Sequence, residues 1–96
     1  MSALPAAAAA VLAQLVEAGR HVVERGLVLA SGGNLSARLD DDSYLVTASG
    51  TWLNRLSDTD FSVIDSDGRV VAGSSQPSVE WKLHHRTYAA RPDVRA

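Results

Sequence analysis

The 96-residue sequence contains no cysteine, which excludes both a disulfide framework and a thiolate nucleophile. It has one lysine, Lys82, eight scattered arginines and a formal net charge of −2. No basic stripe forms, so nothing in the charge favours nucleic acid or an acidic membrane surface as a partner. Long apolar runs are missing too. In "MSALPAAAAAVLAQLVEAGR" the run is broken by Gln14, Glu17 and Arg20, and no segment approaches the ~18 apolar residues of a membrane span. The stretch also lacks the basic n-region of a signal peptide. These absences lead to the expectation of a cytoplasmic protein with no nucleic-acid or membrane partner.

What is present fits an ordinary folded domain: 46% of residues are hydrophobic and 21% charged. A chain of this length makes one domain at most. Residues 5 to 25 read as an amphipathic helix. Val11, Leu12, Leu15, Val16, Val22 and Val23 recur near a 3.6-residue spacing, with Gln14, Glu17, Arg20 and Glu24 on the polar face. Pro5 suits the first turn, and Gly26 the left-handed position past the end.

The period then changes. "NLSARL" alternates Leu35, Ala37 and Leu39 with polar residues, "YLVTA" is β-branched and apolar, and "DDDS" lies between them. That pattern predicts a hairpin. A second hairpin is predicted from "FSVID" and "RVVAG" around Asp67-Gly68. Helical spacing returns from Ser78 to Ala90, and Pro92 stops it. The order helix, two hairpins, helix predicts an α/β domain with a substantially antiparallel sheet.

Four stretches carry possible chemistry. "SGGNLS", residues 31–36, sets two glycines before Asn34, so that backbone N–H groups can approach an anion and the amide can add a donor. It has no GKS/T ending and is not a Walker loop. "TASGTWL" ends a strand with Ser49-Gly50, a common anion contact and an equally common turn. "PSVEW" places Ser78 as an N-cap and Glu80 in the first helical turn. Capping and the helix dipole explain those two residues cheaply, yet a helix start also binds anions, and a carboxylate there can act as a general base. Finally, Trp81, His84 or His85, and Tyr88 share one helix face. Adjacent histidines diverge by about 100° and HExxH is absent, so His84 and His85 read as structural or surface residues. Asp40, Asp41 and Asp42 read as a solvated turn without EF-hand spacing.

Each stretch alone is an ordinary turn or cap. In this order they resemble the class II aldolase/adducin superfamily. The landmarks are Gly33-Asn34-Leu35-Ser36-Ala37-Arg38, Ser49-Gly50, Ile64-Asp65-Ser66-Asp67-Gly68, Pro77-Ser78 with Glu80 and His84, and Tyr88 to Val94. The resemblance runs from about residue 10 to the end. It implies α/β/α layers around a central, largely antiparallel sheet, and commonly a homo-oligomer, a cyclic tetramer. It implies a small sugar or sugar-phosphate substrate, cleaved by a retro-aldol step through a metal-stabilised enediolate. Glu80 matches the proton-moving residue, and burial is expected to tune such a base. Substrate phosphate matches Gly33, Asn34, Ser49, Gly50 and Ser78. Epimerase and dehydratase relatives share the scaffold, and a non-catalytic adducin-like interaction domain is the alternative.

Two departures accompany the resemblance. Val79 stands where the aldolase pattern often has a second serine. The family's His-x-His metal pair and a later third histidine do not occur, so no metal ligand is expected in this chain. Residues 1–96 then correspond to the N-terminal part of a single family domain, inactive by itself and with exposed sheet edges. The divalent metal, zinc by expectation, belongs to the complete protein, its ligands lying beyond Ala96.

Overall fold

The computed structural model describes residues 4–96. Pro5, at φ −64°, leads into a 3-10 turn over Ala6–Ala8 that continues as helix α1, Ala9–Glu24. Strands β1 (Ser36–Asp40) and β2 (Ser43–Thr47) form the first hairpin, and β3 (Phe61–Asp65) and β4 (Val70–Gly73) the second. Helix α2 spans Trp81–Ala90. β2 also pairs with β3, so the two expected hairpins fuse into one antiparallel sheet of order β1-β2-β3-β4. Gly26 and Gly68, both expected at left-handed turn positions, have φ of 69° and 83°.

Alternation along the strands builds two cores, because successive side chains leave opposite faces of a strand. On one face Ala37, Leu45, Phe61, Val63 and Ala72 join Leu15 of α1, with Val11, Leu12 and Val16 packed against them. On the other face Tyr44, Val46 and Ile64 join Tyr88 of α2, flanked by Trp81 and Val94. Phe61, Leu45, Val46 and Ile64 are completely buried. At ~1.5–3 kcal/mol for each such side chain removed from water, these four anchor both layers. The expected α/β/α arrangement is the one observed.

The first helix corrects one expectation. The helical stretch Ala6–Glu24 has 19 residues and a mean hydropathy of 1.2, long and apolar enough by those criteria to cross a membrane. Its few charged residues leave the stretch apolar on average. In this fold the same residues cover the sheet, with Leu15 and Gly19 buried. Gly19 allows the approach. A Cβ there would lie 2.2 Å from the carbonyl oxygen of Leu53.

Two polar residues of "NLSARL", Ser36 and Arg38, turn toward α2. Ser36 is buried, and Arg38 is only partly exposed. Both lie under α2. The Arg38 guanidinium caps the end of that helix. Its Nη2 donates to the carbonyls of Tyr88 (3.0 Å) and Arg91 (3.2 Å), and its Nε to that of Val94 (2.9 Å). It also lies 4.9 Å from the Tyr88 ring centre. On the β1 edge, the Arg38 N–H donates to the Arg95 carbonyl at 2.7 Å. The tail therefore meets part of an edge expected to be open.

Candidate functional site

Thr47, the last residue of β2, gathers the site. Its N–H donates to the Leu35 carbonyl at 2.9 Å, and its Oγ1 accepts the Leu35 N–H at 3.1 Å. Its own carbonyl accepts the Ser78 N–H at 2.9 Å. Next along the chain, Ala48 bridges to Pro77, and the Ser49 N–H donates to the Gln76 carbonyl at 2.8 Å. The loop before β1 is tied down separately, by the Leu53 N–H on the Ala30 carbonyl at 2.8 Å. Three segments distant in sequence are thereby fixed side by side.

Between them lies a cleft of about 300 Å³, lined by residues 31–34, 48–52 and 78–80. Gly33, Asn34, Ser49, Gly50, Ser78 and Glu80, the six residues singled out from sequence, all line it. Glu80 is its one ionisable lining residue. The rest of the wall offers donors: hydroxyls of Ser49 and Ser78, the Asn34 amide, and the backbone N–H groups of Gly33 and Gly50. Among the described residues, those two N–H groups have no protein acceptor. Such an arrangement can receive an anion beside a carboxylate.

Two features of the third segment differ from expectation. Helix α2 starts at Trp81, with Glu80 at the cap (φ −93°, ψ 13°) and no side-chain cap bond. Ser78 is therefore not the N-cap. Its backbone continues the pairing with Thr47, which holds residues 77–78 extended and delays the helix. The Ser78 Oγ accepts the Glu80 N–H at 3.3 Å instead, and its carbonyl accepts the Trp81 N–H at 3.0 Å. Glu80 is exposed at the rim of the cleft, where burial had been expected for a base.

A shared face was expected for Trp81, His84 or His85, and Tyr88; both histidines lie on the packed side of α2, and each has its own partner. His85 Nδ1 lies 3.1 Å from the Tyr44 hydroxyl. His84 Nδ1 lies 2.6 Å from Ser36 Oγ, and its Nε2 bonds Asn34 Oδ1. Ser36 Oγ is also 2.7 Å from the Tyr88 hydroxyl. Burial holds the His84 imidazole below its ordinary pKa, against a smaller upward pull from Glu80. Burial also pushes both tyrosine phenols up, with the neighbouring Tyr88 adding to the effect at Tyr44. Ser36 and Tyr88 were not recognised from sequence as members of this network, nor Thr47 as the residue that gathers the site, although all three stood inside quoted stretches.

Metal fit is tested by the donor set. Among the described residues, no three His, Cys, Asp or Glu side chains come together as a metal-holding group. The residues described here do not by themselves form a metal cage.

Comparison with known proteins follows the same lines. Residues 13–96 match the family model described as Class II Aldolase and Adducin N-terminal domain. The 3-oxo-tetronate 4-phosphate decarboxylase of Haemophilus influenzae is 42% identical over 82 residues, covering 85% of this chain and 39% of that protein. The methylthioribulose-1-phosphate dehydratase of Methylococcus capsulatus is 42% identical over 84 residues, covering 88% and 41%. Among solved structures, an L-fuculose 1-phosphate aldolase superposes with a TM-score of 0.83 at 34% identity, covering 91% of this chain and 42% of its own. The chain thus spans about two fifths of the length of these relatives. Sequence, fold and comparison converge: this chain belongs to the class II aldolase and adducin N-terminal domain family.

Proposed function

We propose that residues 1–96 are the N-terminal part of one class II aldolase-like domain, belonging to a lyase that acts on a small sugar phosphate with retro-aldol cleavage as its reaction. The observation that carries this reading is the cleft itself, in which hydrogen-bond donors from three segments surround one carboxylate. The names of the three relatives each specify a phosphorylated compound, and their reactions are decarboxylation, dehydration and aldol chemistry. Those activities belong to the relatives. A shared phosphate with differing chemistry supports an anion subsite as the constant element.

In the proposed reaction Gly33, Asn34, Ser49, Gly50 and Ser78 hold the phosphate by N–H and O–H donors, which fixes the sugar's orientation. Glu80 takes the proton from the substrate hydroxyl as the carbon–carbon bond breaks and the electron pair moves toward the carbonyl, giving an enediolate. A divalent metal, for which we expect zinc, supplies Lewis-acid stabilisation of such charge. The described residues do not fit its cage, and the part assigned to them is anion binding and proton movement. At the cleft Trp52 and Val79 are 50% and 84% exposed. Exposed apolar surface of this kind supports the proposal of a homo-oligomer, a tetramer as in the family.

Two measurements test the reading. Inorganic phosphate titrated into the ¹⁵N-labelled chain should shift the Gly33, Ser49 and Gly50 amides together; unmoved amides at saturating phosphate would remove the subsite. In a preparation that turns over a sugar phosphate, Glu80→Gln should lower kcat by about 10²–10⁴-fold, the usual contribution of a positioned acid–base group. Unchanged turnover would exclude Glu80 as the base.

A further inference from the structure

The bonds around His84 form a directed chain, and their direction follows from donor counting. Four side chains take part: Tyr88, Ser36, His84 and Asn34. Among the described residues, the Tyr88 hydroxyl has one acceptor within reach, Ser36 Oγ at 2.7 Å. Ser36 and Tyr88 are 6% exposed each, and a buried donor without an acceptor costs about 1–3 kcal/mol. Tyr88 therefore donates to Ser36. The Ser36 hydroxyl then donates to His84 Nδ1, so Nδ1 is unprotonated and the proton of the neutral ring is on Nε2. Nε2–H donates to Asn34, which requires the amide oxygen on that side.

The alternatives each break the chain. If Asn34 turned its NH₂ toward His84, the ring would accept at Nε2 and carry its proton on Nδ1. Ser36 would then accept from Nδ1–H, and one of the two buried hydroxyl hydrogens, that of Ser36 or that of Tyr88, would lose its acceptor. An imidazolium has the same consequence, since both ring nitrogens would donate. The depressed His84 pKa, caused first by burial, agrees with the neutral ring.

We propose that His84 is a positioning residue that fixes the rotamer of the Asn34 amide, leaving its NH₂ for the cleft. With the oxygen already engaged, Asn34 offers that cleft only donors. A side chain otherwise able to present either end becomes selective for an anion. This deepens the phosphate reading above and rests on it for the ligand, but the amide orientation is a property of the chain alone. Sequence marked Asn34 as a donor, and the reason it faces the right way lies 50 residues later.

Two experiments on the 96-residue chain test it. The first needs no ligand: ¹⁵N imidazole shifts and couplings report which ring nitrogen of His84 carries the proton. The expected result at pH 7 is a neutral ring with the proton on Nε2. A proton on Nδ1 overturns the proposal. The second is a double-mutant cycle on inorganic-phosphate affinity with His84→Phe and Asn34→Ala. Each single substitution should weaken binding by roughly 3- to 10-fold, and the double no more than Asn34→Ala, the non-additivity expected of coupled residues. His84→Gln, which retains an N–H donor, should recover part of the loss. Fully additive effects overturn the proposal, because His84 would then act without Asn34. Should the unaltered chain bind no phosphate, the ligand reading fails while the imidazole shifts still decide the orientation. If His84→Phe unfolds, His84→Leu, which likewise removes the N–H donor, supplies the second arm of the cycle.

Discussion

Thr47 and Leu35 exchange two hydrogen bonds: the Thr47 N–H donates to the Leu35 carbonyl at 2.9 Å, and the Leu35 N–H donates to Thr47 Oγ1 at 3.1 Å. The pair clamps the end of β2 to the segment carrying Gly33 and Asn34. The second of these bonds depends on a side chain. Thr47→Val keeps the shape and removes the acceptor, so the Leu35 N–H loses its partner at a cost of about 1–3 kcal/mol. Chemical denaturation should show that loss, and phosphate-induced shifts at Gly33 should weaken with it. Unchanged stability would mean that the Leu35 N–H finds another acceptor.

Gly19 tests the seating of α1. A methyl group there would meet a backbone oxygen 2.2 Å away, along with Leu56 Cδ1 at 3.0 Å. Helix propensity alone favours Gly19→Ala by up to ~1 kcal/mol. The clash outweighs it, because α1 must lift from the residue 53 loop, and overpacking of this kind costs about 1–3 kcal/mol. A lowered melting temperature is expected; a raised one would show that the loop yields freely.

Arg38 joins β1 to the end of α2 through three carbonyls. Lysine keeps the charge without the planar fork, and cannot reproduce that geometry. In Arg38→Lys, amide exchange should accelerate in the last turn of α2 and around Val94, with little change in β3. Uniform protection across both regions would show that the tail holds without the guanidinium.

The depressed pKa of His84 gives a stability dependence with a definite sign. The folded ring resists protonation, whereas the unfolded ring titrates near the ordinary histidine value of about 6.5. Above that pH both states are neutral and the group contributes no pH dependence. Below it the unfolded state takes up the proton first, so stability falls until the folded ring also titrates. The slope due to one such group is at most about 1.4 kcal/mol per pH unit. Groups around the ring include Glu80 on its own helix and Ser36, Asn34 and Tyr88 across from it, with Arg38 over Tyr88. Unfolding free energies at pH 7.5 and 5.5 should diverge less in His84→Gln than in the unaltered chain. Equal divergence would show that other groups set the dependence.

Val79 gives a gain-of-function test. It lines the cleft and is 84% exposed, so serine there adds a donor without opening a cavity. One added hydrogen bond is worth about 0.5–1.5 kcal/mol. Val79→Ser should therefore tighten phosphate binding by roughly 2- to 10-fold, measured by titration calorimetry. An unaltered affinity would place the anion away from residue 79.

The elements and their order were legible in the amino-acid pattern. Periodicity is local, and Pro5, Gly26, Asp67-Gly68 and Pro92 act on the backbone where they stand. Order and spacing of the quoted motifs were also sufficient to name the family and to mark six of the residues that line the cleft. Tertiary structure decided what local pattern does not encode. Ser36 and Arg38 read as the polar side of a half-exposed strand, yet α2 covers that side. Ser78 read as an N-cap, yet its pairing with Thr47 holds the backbone extended and moves the helix start to Trp81. The orientation of the Asn34 amide depends on a tyrosine 54 positions away, through contacts that exist only once sheet and helix have packed.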